Sequence, residues 1–89
     1  MADANLEIDG VIYDAKFTRA IIILSDKYQF SRKEVASACV FFNDLMILEW
    51  HRVTDIFLRS CKNWKVSPIE ALNNGIMVYL DTCNEKNLN

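Results

Sequence analysis

The strongest constraint on this chain is an apolar stripe that begins at Val35 and ends at Trp64. Its members are Val35, Cys39, Phe42, Met46, Trp50, Val53, Phe57, Cys61 and Trp64, each three or four residues beyond the last. That spacing keeps side chains on one face of a 3.6-residue helix. Neither glycine nor proline falls between Arg32 and Lys65 to interrupt it. The helix opens at Ser31-Arg32-Lys33-Glu34, which has the form of a capping box. Continued to about Trp64, it would be roughly 48 Å long at 1.5 Å per residue. Asn43-Asp44 is its weakest point, because both side chains compete for backbone hydrogen bonds. The stripe keeps its phase through that point, so the reading is one continuous central helix.

Two shorter helices flank it. Asp14 is suited to N-cap a helix reaching Tyr28, with Phe17, Ile21, Leu24 and Tyr28 on its apolar face. The β-branched run Ile21-Ile22-Ile23 opposes that assignment on propensity, and the helical period outweighs it. Ser67-Pro68-Ile69-Glu70 then places serine at N-cap, proline at N1 and glutamate at N3. The predicted apolar face of this last helix is Ile69, Leu72, Ile76, Leu80 and Cys83. A second row, Ala71, Gly75 and Val78, is small enough for another helix to approach closely. Before the first helix, Asp9-Gly10 is the favoured two-residue turn for a hairpin. The other reading of residues 1–13 is an extended arm whose Ile8, Val11 and Ile12 cover part of the core. The expected fold is therefore all-α, a small helical bundle in one domain over residues 1–89, with a hairpin or arm in front and a frayed tail over 84–89.

Composition agrees with that class. At 52% hydrophobic and 25% charged residues the chain has a globular balance, and two glycines with one proline leave little turn chemistry for a sandwich or barrel. The three cysteines are an odd number and all fall on apolar helical positions, which favours buried free thiols. The N-terminal residues lack the pattern of a secretory signal, and no apolar run approaches the roughly 20 residues that span a bilayer. A cytoplasmic protein without a membrane partner is expected.

Chemistry is sparse. One histidine and three cysteines without a C-x2-C pair predict no metal site, and there is no glycine-rich phosphate loop, so no cofactor is expected. Cys61 and His51 are ten residues apart and point in different directions on a helix, which places an enzyme built on either residue last among the readings. His51 and Asp55, four apart, form at most a surface pair. Arg32-Lys33-Glu34-Val35-Ala36-Ser37 opens like a helix-turn-helix, but the turn would fall on Cys39-Val40-Phe41, and the recognition segment would be apolar. Arg52, Arg59, Lys62 and Lys65 form a possible patch for an anionic partner, the basis of an alternative reading as a nucleic-acid-binding regulator. Its bland counterpart is a solvated face held by Arg52–Asp55 and Asp55–Arg59 pairs, and the net charge of −2 also counts against nucleic acid.

An apolar surplus remains. Phe41, Leu45 and Leu48 lie beside the main stripe, and two short helices cannot cover every side of a long one. These residues are the predicted partner surface. The leading expectation is a non-enzymatic protein–protein interaction module, a small regulator or inhibitor that docks on a larger protein. A homodimer through the same three residues is the associated prediction for assembly.

Overall fold

The computed structural model describes residues 5–75. In order these form β1 (Glu7–Ile8), β2 (Val11–Ile12), α1 (Ala15–Tyr28), α2 (Arg32–Asp44), α3 (Trp50–Trp64) and α4 (Pro68–Asn73). The four helices pack into a bundle, with α2 at its centre and in contact with each of the other three. The strands pair antiparallel, Glu7 opposite Ile12 and Ile8 opposite Val11. The fold is all-α with a minimal hairpin.

The hairpin reading of the N-terminal segment holds. Asp9 and Gly10 both have positive φ, 51° and 84°, as a tight two-residue hairpin turn demands. Thr18 anchors the hairpin to α1, its Oγ1 accepting from the Leu6 amide at 3.0 Å and donating to the Tyr13 carbonyl at 3.1 Å. Lys33 pairs with Asp9 at 3.0 Å and holds the turn against α2. Leu6, Ile8 and Tyr13 pack on the core, whereas Val11 and Ile12 face solvent, contrary to the covering role the arm reading assigned them.

The starts of α1, α2 and α4 match the sequence, whereas α3 opens after Glu49 without a side-chain cap. Asp14 accepts from the Phe17 amide at 3.0 Å, Ser31 and Glu34 complete the capping box, and Ser67 accepts from the Glu70 amide at 3.1 Å. The core is built on Ile21 and Leu24 from α1, Val35, Ala36, Ala38, Cys39 and Phe42 from α2, and Trp50, Phe57, Leu58 and Cys61 from α3. Phe42 and Phe57 meet edge to face with centroids 5.6 Å apart, and Phe17 stacks on Trp50 at 4.8 Å.

The continuous central helix is the main correction. The chain leaves the helix after Asp44 and re-enters at Trp50, giving α2 and α3 instead of one rod. Met46 adopts φ 63°, its amide donates to the Asn43 carbonyl at 3.0 Å, and the Ile47 amide donates to the Phe42 carbonyl at 3.4 Å. These are the two reverse bonds of a Schellman cap, with Ile47 packed back on the core as its apolar seal. The same device ends α1 and α3. Gln29 (φ 59°) and Lys65 (φ 57°) are left-handed, and Phe30 and Val66 donate to the carbonyls of Ser25 and Cys61. Three non-glycine residues thus occupy the position that glycine usually takes.

A second correction concerns α4. Among the described residues it stops at Asn73, and Gly75 has φ 93° instead of a helical value. Among the described residues no neighbour lies within 4 Å of where a Gly75 Cβ would stand, so none of them uses this glycine for close approach. Ala71, placed by sequence on the second row, is fully buried with Pro68, while Ile69 and Leu72 are half-buried. Ile76, Val78, Leu80, Cys83 and the 84–89 tail lie outside the described residues.

Candidate functional site

The α2–α3 connection carries the two most exposed large apolar side chains among the described residues, Leu48 and Met46. Leu45, Met46 and Leu48 are 53%, 88% and 95% exposed, although the spacing of the sequence puts Met46 on the main stripe. The Schellman cap explains the reversal. A left-handed residue swings its side chain off the helical face, and the following residue, Ile47, turns inward in its place. Of the three predicted partner residues, Leu45 and Leu48 are brought together on this turn. Phe41 is not, being half-buried and packed edge-on against Phe42 at 5.3 Å.

Leu48 also belongs to a groove of about 980 Å³ between one face of α1 and the first turns of α3. The α1 wall is Lys16, Arg19, Ala20, Ile23 and Leu24, residues that share one side of a helix. The opposite wall comprises Glu49, Trp50, His51, Arg52 and Asp55. Ile23 is 57% exposed at its edge, and Lys16 Nζ lies 5.9 Å from the rings of both Phe17 and Trp50. The groove therefore has an apolar floor and a charged rim.

The rim charges are unequally matched. Arg52 pairs with Glu49 at 2.9 Å, and Asp55 pairs with Lys27 at 2.9 Å and accepts from the Tyr28 hydroxyl. Burial alone would raise the Asp55 pKa, but the hydrogen bonds from Tyr28 and Lys27 and the lysine charge outweigh it, so its carboxyl sits below the ordinary value. Among the described residues neither Lys16 nor Arg19 has a carboxylate partner. Arg52 thus pairs with Glu49 and Asp55 with Lys27 and Tyr28 instead of with Arg52, His51 or Arg59, although the Arg59 charge also helps to lower the Asp55 carboxyl.

The predicted anionic-partner patch is divided. Arg52 belongs to the groove at the start of α3, whereas Lys62 and Lys65 line a smaller hollow of about 470 Å³ at its other end. Lys65, the C-cap, lies thirteen positions beyond Arg52 along α3, roughly 20 Å. Lys62 Nζ lies 4.7 Å from the Phe30 ring, and Arg59 is exposed between the two ends. The helix-turn-helix turn at Cys39-Val40-Phe41 is absent, since α2 runs unbroken through those residues.

Nucleophilic chemistry finds no support in the two described thiols, Cys39 and Cys61. Cys39 and Cys61 are buried and free, and desolvation pushes both thiols up to about 12. Such groups are protonated and inert near neutral pH. Among the described residues no three His, Cys, Asp or Glu side chains stand close enough to share a metal ion, and no helix is long and apolar enough to cross a membrane. Compared with known proteins, the chain matches no family model, no curated protein and no solved structure.

The residues that sequence reasoning missed are Ile23, Trp50, Lys16 and Arg19. A signal for the first existed: Ile23 lies off the Phe17–Ile21–Leu24 face and had no helix assigned to cover it. Trp50 was assigned to the core, which is correct for most of its surface, and its groove edge had no signature in the sequence.

Proposed function

We propose that this chain is a non-enzymatic protein-binding module, consistent with a small regulator or inhibitor that docks on a larger protein. The observation that supports it is the exposed turn of Leu45, Met46 and Leu48 running into the α1–α3 groove. Leucine and methionine exposed to this degree cost solvation free energy, about 25 cal/mol per Å² of apolar surface, which a partner would recover. Methionine is suited to such a surface, because its flexible thioether adapts to the shape opposite.

The homodimer expectation drew on an unbroken helix that was apolar on nearly every side. With α2 and α3 folded against each other and Phe41 turned into the core edge, the same residues favour a different protein as the partner. The nucleic-acid alternative is weakened by the division of the basic patch and by the carboxylates in the groove. A cysteine-based enzyme is weakened by the buried thiols.

The test is a photo-crosslinking side chain in place of Met46, irradiated in native cell extract. A discrete protein adduct that disappears with Leu48→Glu is expected. The same adducts from a crosslinker at exposed Lys33, or a dimer of this chain alone, would defeat the reading. Light scattering at several concentrations separates the dimer independently.

A further inference from the structure

We infer that the α1–α3 groove takes an amphipathic helix of another protein, one that lays its apolar face along Ile23, Leu48 and Trp50 and carries acidic side chains opposite Lys16 and Arg19. This inference deepens the protein-binding reading and rests on it. Three features of the groove specify the partner.

The α1 wall is helical and neither wall is a strand, although the uncapped first turn of α3 leaves N–H groups without an intrahelical partner. An extended peptide would find no strand edge to pair with, and its own N–H and C=O groups would be desolvated without replacement. A helix brings a satisfied backbone and needs only side-chain complementarity. The α1 wall from Lys16 to Leu24 spans roughly 12 Å, a little over two turns, which suits a docking helix of about three turns.

Ile23 and Leu48, over a floor closed by Ala20, Leu24 and Trp50, supply the exposed apolar area that a stripe of leucine, isoleucine or phenylalanine at i, i+3 or i+4, and i+7 would bury. Charge then sets the flank. Glu49 is neutralised by Arg52 and Asp55 by Lys27, which leaves Lys16 and Arg19 as the uncompensated charges of the lining. They are three residues apart on α1 and so present two cations about 4.5 Å apart along its axis. Carboxylates at i and i+3 or i+4 on the docking helix match that interval. A polyanion is less suited, because the phosphates of RNA would leave the exposed apolar side chains Ile23 and Leu48 uncovered.

The probe is a displayed library of helical peptides, randomised at surface positions of a fixed helical scaffold and selected on the full chain. The expected winners carry an apolar stripe flanked by Asp and Glu. Their affinity should fall about five- to tenfold with Arg19→Glu and be regained when the acidic flank is changed to lysine. Leu48→Glu should cost at least about tenfold. Both residues are exposed, and an unchanged far-ultraviolet circular dichroism spectrum confirms that the variants fold. Winners with a basic or neutral flank that still require Leu48 overturn the acidic assignment and leave the protein-binding reading intact. No Leu48-dependent winner overturns the helix assignment, and the Met46 crosslink then decides the broader reading separately. Tighter Leu48-dependent binding of a uridine 20-mer, or of phosphatidylcholine–phosphatidylglycerol vesicles, would give the groove to a different class of partner and overturn the inference.

Discussion

Tyr28, the last residue of α1, donates its hydroxyl to Oδ1 of Asp55 in the second turn of α3, 27 residues away. Lys27 holds the other carboxylate oxygen at 2.9 Å. This triad fastens α1 to α3 beside the groove, and the shifted groups predict how stability follows pH. The Asp55 pKa is lowered, so its contribution is present above the unfolded carboxylate value near about 4 and is lost as pH falls through the lowered value. The Lys27 pKa is raised by its hydrogen bond to Asp55, and that of Tyr28 by burial and then by the same carboxylate. Their contributions are complete below unfolded values near about 10 and are lost as pH rises through the raised ones. Urea unfolding across pH should show Asp55→Asn flattening both limbs. Tyr28→Phe should cost about 1 kcal/mol at neutral pH, a hydrogen bond to a partly exposed charge. An unchanged profile in Asp55→Asn would show that the triad contributes nothing in solution.

Met46→Gly should stabilise the fold. A left-handed L-residue costs roughly 1–2 kcal/mol, and glycine relieves that cost while losing some unfolded-chain entropy. The net expected gain is about 0.5–1 kcal/mol in chemical denaturation. Met46→Ala, which keeps the Cβ, should give no such gain. If Met46→Gly instead destabilised the chain, the cap would not be the origin of the break.

Ser31→Ala removes the acceptor of the α2 capping box and should cost about 1 kcal/mol. Phe57→Ala, in the fully buried centre of α3, should cost about 3–5 kcal/mol, enough to unfold a marginal domain. A Phe57→Ala loss below about 1 kcal/mol would contradict the packing described.

Cys39 and Cys61 should react with an aromatic disulfide reagent no faster than the chain opens, because each is buried and its thiol is raised to about 12. Labelling should accelerate in urea in step with unfolding. Prompt modification of Cys61 in the native state would return it to consideration as a nucleophile.

How much of this was legible in the residues depends on whether the controlling chemistry has a residue signature. Helix starts do: Asp14, Ser31 and Ser67 carry the side-chain acceptor that unpaired amides require, and each was placed correctly. Asp9-Gly10 signals its turn equally well, since both positions need positive φ. The ends at Tyr28 and Trp64 follow from where the apolar period stops, whereas the end at Asp44 is unmarked by glycine and is not legible. Gln29, Met46 and Lys65 adopt a conformation that their side chains disfavour, held by backbone bonds and by the apolar residue that follows. At Met46 the periodicity also misled, because α3 resumes with Trp50 in phase with Phe42, so the stripe survives a break that it seemed to exclude. Leu45 and Leu48 were legible as surplus apolar residues. The junction of Leu48 with Ile23 across the groove was not, because it depends on α3 folding back to lie beside α1.

The cap at Met46 also bears on the order of events in folding. Its bonds reach back no more than five residues, and the same holds for the caps at Gln29 and Lys65. Each chain reversal is thus encoded locally and closes without first bringing distant segments together, which keeps the loop-closure cost of the bundle low. A local stop formed early belongs to the transition state, so Met46→Gly should raise the folding rate more than it lowers the unfolding rate in stopped-flow experiments. The turn that displays Leu45, Met46 and Leu48 would then take shape with α2 itself, before the core behind it has closed.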